Sequence, residues 1–127
     1  MTTRPRPTSP HLQIYKFTIT MAMSIIHRIT GIGLYGGMVL LVLWLGAAAF
    51  GEEPLAVVNA IFGSWFGQLV LFGFTWALFQ HLLGGLRHFI WDSGRGFEPG
   101  VRERLAWANV IGAVILTLLA WAIFVWF

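Results

Sequence analysis

Between Ile29 and Phe50, between Leu55 and Leu86, and again between Leu105 and Phe127, this chain contains no Asp, Glu, Lys or Arg. About 20 helical residues at about 1.5 Å each cross a hydrocarbon core about 30 Å thick, so each stretch is long enough to span a bilayer. The sequence therefore reads as an all-α integral membrane protein with three transmembrane helices, over about 24–50, 64–91 and 105–127. All of it, 1–127, is taken as one membrane domain, with residues 1–20 as an arm at the membrane surface.

Composition supports lipid as the solvent. Hydrophobic residues make up 57% and charged residues 10% of the 127, whereas soluble domains carry about 25% charged residues. A chain this short cannot hide such an apolar excess in one core. The eight basic residues outnumber the five acidic ones but form no Lys/Arg run, so nucleic-acid binding is set aside. No cysteine is present, which excludes disulfides and thiolate-bound iron–sulfur clusters.

Met1 to Pro10 holds three prolines and two arginines and reads as an irregular arm, followed by the partly aromatic HLQIYKF of His11 to Phe17. Gly51-Glu-Glu-Pro54 opens a loop read as running to Asn59, and Asp92 to Glu103 forms a second, polar loop. Ala47-Ala48-Ala49 resembles a signal-peptide cleavage site. The preceding apolar segment exceeds the about 7–15 residues of a signal core, and two spans follow, so it reads as a retained helix.

The charges orient the bundle. Arg4, Arg6, Lys16 and Arg28 precede or open the first span, and Arg87, Arg95, Arg102 and Arg104 surround the second loop. The first loop carries Glu52 and Glu53 and no basic residue. By the positive-inside rule the N-terminus and second loop are cytoplasmic or matrix-side, and the C-terminus is outside.

Polar side chains inside spans are costly and mark functional candidates. Helical spacing places Ser24, His27, Arg28 and Gly31 on one face of the first span, near Tyr35, and His81, Gly84, Gly85 and His88 on one face of the second. Asp92 lies one turn beyond His88. If Arg87 marks the interface, His81 lies about 9 Å deeper at helical rise, and its imidazole needs a partner. One solution is ligation of haem iron, with Gly84 and Gly85 leaving room for a flat macrocycle. The other is a hydrogen bond to a neighbouring helix, with the glycines allowing close approach. For Ser24, His27 and Arg28 the choice lies between snorkelling at the interface and donation to an anion or carbonyl oxygen, such as a haem propionate or a quinone. His11 reads as solvated.

Three segments carry a resemblance: RPTSPHLQIYKF from Arg6, SIIHRITGIGL from Ser24 and HLLGGLRHFIWD from His81 to Asp92. In this order and spacing, the chain resembles the cytochrome b membrane-anchor subunit of succinate dehydrogenase. The resemblance departs from the usual pattern at Gly84, where bulkier residues are common. It implies a single membrane-anchor domain that packs with a second three-helix anchor subunit, holding one haem b between them. His81 would be this chain's axial ligand, and the second would lie on the partner. It also implies that Ser24 and Arg28 line a ubiquinone pocket. His27 and Arg28 would lie near a haem propionate, with His88 and Asp92 near the haem edge. FAD and iron–sulfur clusters would belong to the flavoprotein and iron–sulfur subunits, so this chain would do no succinate chemistry itself. The same resemblance leaves the anchor of a fumarate reductase-type quinol oxidase as the alternative. A structural haem scaffold without a quinone site also stands, while a transporter subunit is disfavoured because only His81 is ionisable deep in a span. With no transit segment ahead of the arm, the expected location is the bacterial inner membrane.

Overall fold

The computed structural model describes His11 and residues 14–124. The described residues form four helices, α1 (Ile19–Phe50), α2 (Glu52–Gly63), α3 (Trp65–Asp92) and α4 (Pro99–Phe124), and contain no strand. Three of them, Ile19–Phe50, Trp65–Asp92 and Pro99–Ile123, are long and apolar enough to cross a membrane. The start of α1, the end of α3 and the start of α4 share one end of the bundle, so Arg28, Arg87, Arg95, Arg102 and Arg104 gather there.

α1 begins at Ile19, ahead of the expected start near 24, and two further boundaries differ from the sequence expectation. The segment read as a loop from Gly51 to Asn59 is mostly helix. Gly51, at φ 122°, turns the chain where an L side chain would be strained. Glu52 and Glu53 then occupy the first turn of α2, favoured by the helix dipole, and Pro54 sits where a missing N–H costs nothing. Trp44 Nε1 donates to Asn59 Oδ1 at 3.0 Å, tying α2 back to the end of α1. The second difference is α4, which begins at Pro99 rather than near Leu105. Proline is suited to a first turn, and Arg102, Glu103 and Arg104 are recruited into the helix because its start lies at the polar end, where charge reaches water.

Ser64 separates α2 from α3 by capping the latter, its hydroxyl accepting from Gly67 N at 3.1 Å. The α3–α4 connection uses Gly94 and Gly96 in the left-handed region, at φ 76° and 81°. Trp91 Nε1 closes this turn by donating to the Gly96 carbonyl at 3.1 Å.

α3 packs between α1 and α4. Its contact with α4 is built from small and polar residues: Ala106, Ala113 and Thr117 are buried. Asn109 Nδ2 donates to the Gln80 carbonyl at 3.2 Å, and Trp121 Nε1 donates to Thr75 Oγ1, also at 3.2 Å. This is how helices associate in lipid, where close approach and interhelical hydrogen bonds replace the hydrophobic drive. The outside is apolar: Ile32 is 75% and Leu118 54% exposed. Such surface belongs against lipid or another apolar chain.

On α1, Gly37 is buried because the Phe74 ring of α3 lies where its Cβ would be. Gly37→Leu should therefore force the two helices apart, at a cost of about 1–3 kcal/mol. Unfolding in detergent by denaturant titration should show a clearly lowered midpoint, and wild-type stability would refute the contact.

Candidate functional site

Two histidines on different helices form the centre of the site. The rings of His27 (α1) and His81 (α3) stack with centroids 3.9 Å apart and planes inclined by 7°. Each ring is seated on a glycine of the opposite helix. A Cβ on Gly84 would lie 2.5 Å from His27 Nδ1, and one on Gly31 would lie 3.0 Å from His81 Cε1. The arrangement is reciprocal: α1 supplies a ring at 27 and a seat at 31, and α3 supplies a ring at 81 and a seat at 84. A side chain at either seat would push a ring out of the stack.

Hydrogen bonds then fix the orientation of His81. Its Nδ1 lies 3.1 Å from the His27 carbonyl oxygen and 3.2 Å from Thr30 Oγ1. A carbonyl oxygen can only accept, so the ring hydrogen sits on Nδ1. In the neutral imidazole Nε2 then carries the lone pair, and it makes no hydrogen bond among the described residues. A histidine with one nitrogen donating to a carbonyl and the other free has the donor pattern of a metal-ligating imidazole. Among the described residues no group of three or more His, Cys, Asp or Glu side chains could hold a metal ion. With Nε2 free, His81 could contribute one bond to a metal.

The sequence-chosen residues divide into two sets. His27, Gly31, His81 and Gly84 are brought together, and His88 joins them with its ring 5.3 Å from that of His27 and 5.1 Å from that of Trp91. Ser24 and Arg28 do not turn inward with His27: both are exposed on α1, as is Asp92 at the end of α3. The shared face expected for Ser24, His27, Arg28 and Gly31 is therefore split, because α3 covers only its His27–Gly31 side. Likewise Gly84 and Gly85 play different parts. The room at Gly84 is filled by His27, whereas Gly85 has nothing within 4 Å of a built Cβ and is the open one. His11 is exposed, as expected. Met1 to Pro10 lies outside the described residues.

Arg87, at the polar end of α3, is covered by the protein itself. It is only 3% exposed, and its guanidinium carbon lies 4.9 Å from the Trp91 ring centroid. Trp91 shields it as a cation–π partner, and Nε and Nη1 have no hydrogen-bond partner among the described residues. Thr30 is the residue whose part sequence reasoning missed. The signal was present, since Thr30 lies one turn after His27, but a lone threonine in a span usually bonds to its own helix.

With this geometry in view, comparisons with known proteins agree on one family. The model of the succinate dehydrogenase/fumarate reductase transmembrane subunit matches residues 2–122. The chain is 40% identical over 119 residues to the succinate dehydrogenase cytochrome b556 subunit of Paracoccus denitrificans, covering 94% of this chain and 92% of that one. It is 36% identical over 116 residues to the cytochrome b556 subunit of Rickettsia felis, covering 91% and 90% of the two chains. The mitochondrial cytochrome b560 subunit of Mus musculus is 35% identical over 122 residues, covering 94% of this chain and 69% of its own. A match along nearly the whole length, together with three apolar helices able to span a membrane, places this multi-pass inner-membrane chain in the succinate dehydrogenase/fumarate reductase transmembrane subunit family.

Proposed function

We propose that this chain is the haem b-holding anchor of a succinate:ubiquinone oxidoreductase, with His81 as one axial ligand and Ser24 and Arg28 at the ubiquinone pocket. The observation that carries the reading is the His81 Nδ1 contact with the His27 carbonyl at 3.1 Å, which leaves Nε2 free to ligate. Haem b, when bound, supplies a one-electron redox centre. A further ligand to its iron would come from a second three-helix anchor subunit packed on the open apolar surface. The largely exposed α1 supports such a neighbour, since Ile29 is 62%, Ile32 75% and Tyr35 81% exposed.

Ser24 and Arg28 are exposed at the end of the bundle where the basic residues gather. That end faces the cytoplasm and the iron–sulfur and flavoprotein subunits, which carry the clusters and FAD. A quinone arriving there meets a hydroxyl and a guanidinium. Both donate to its oxygens, and their hydrogen bonds strengthen as negative charge builds on reduction. His27, His88 and Asp92 border the same end and make up the polar surroundings of the haem edge. The chain performs none of the succinate chemistry. Its part is to position the quinone and to hold the complex in the membrane.

His81→Leu in the assembled complex should abolish the reduced b-type haem absorption band while leaving the flavin and iron–sulfur signals in place. An unaltered band would remove the ligand role.

Arg28→Leu should lower kcat/KM for ubiquinone reduction by about 100-fold, the effect of deleting one donor aimed at developing charge. Succinate-dependent reduction of an artificial dye should continue. Normal quinone reduction in that variant would argue against the pocket.

A further inference from the structure

Resting on the haem reading, we propose that Thr30 is a positioning residue for His81: its hydroxyl, beside the His27 carbonyl, holds the Nδ1 hydrogen and thereby tunes the potential of the metal that Nε2 ligates. Thr30 is 3% exposed, so water does not compete for its hydroxyl. The hydroxyl hydrogen has backbone acceptors in the Ile26 carbonyl, 2.9 Å away, and the His27 carbonyl, 3.0 Å away. Donation there leaves the oxygen lone pairs as acceptors for His81 Nδ1 at 3.2 Å. The imidazole N–H thus lies between two oxygens of α1, the Thr30 hydroxyl and the His27 carbonyl at 3.1 Å. Two acceptors on one N–H pull the hydrogen outward and make Nε2 more basic, as outer partners of ligating histidines do. A more basic ligand favours ferric over ferrous iron. The Gly31 seat and the His27 stack fix the ring plane, while Thr30 and the carbonyl fix its rotation and tautomer.

The test uses the assembled complex with Thr30→Val, which keeps the shape and removes the acceptor, and Thr30→Ser, which restores it. Haem midpoint potential is read by redox titration of the reduced band. In Thr30→Val the ferrous/ferric equilibrium should rise about threefold, an upward shift of about 28 mV at about 59 mV per tenfold for one electron. Thr30→Ser should return to the wild-type value. If the valine variant does not assemble, Thr30→Ala is titrated instead, with the same shift expected. An unchanged potential in Thr30→Val, or in Thr30→Ala where that replaces it, would overturn the proposal, as would failure of both to assemble, which would make Thr30 a packing residue. The underlying haem reading fails separately, if His81→Leu retains the reduced band.

Discussion

The reciprocal seating of two imidazoles on two glycines governs how α1 meets α3. An imidazole deep in a membrane span has no water to satisfy it, and a buried polar group without a partner costs several kcal/mol on scales with no hydrogen bonding. His81 meets that demand with two oxygens of α1. The stack with His27 adds about 0.5–1.5 kcal/mol if it behaves like other ring pairs. It matters less for its energy than for its geometry: rings 3.9 Å apart fix the spacing, register and rotation of the two helices together. Gly37 beneath Phe74 then continues the same contact deeper into the membrane.

Around that contact the bundle is arranged for lipid. Its buried positions include Thr30, Gln80, Asn109 and Thr117, and its large aliphatic residues face outward. In water this distribution would be unstable. In hydrocarbon the outward face costs nothing, and the interior must satisfy polar groups instead. α4 secures one side of α3 through Asn109 and Trp121, and the side near Gly85 stays open. A molecule approaching His81 therefore comes from outside this chain.

Spans and their order were legible in the sequence because charge is nearly absent from them, and lipid tolerates few charges. The histidines, too, stood out as polar residues in apolar surroundings. Helix ends were less legible. α2 hid within a segment whose Gly-Glu-Glu-Pro opening suits a turn and a helix start equally well. At the site, helical spacing correctly joined His27 with Gly31 and His81 with Gly84, but it could not say which edge of each face a neighbour covers. Ser24 and Arg28 therefore separated from His27, and Gly84 from Gly85. Thr30 stayed invisible because its part depends on a residue fifty-one positions away.

The filled space at Gly84 bears on how such a sequence can change over time. His27 and residue 84 occupy one shared volume, so neither can grow without the other yielding. A relative with a bulkier residue at the position of Gly84 must seat the first-span imidazole elsewhere, most simply by rotating it toward the open flank. A side chain at position 84 therefore acts on the ring at position 27, although the two lie on different helices. A change that looks conservative on α3 alters which way a ring points on α1.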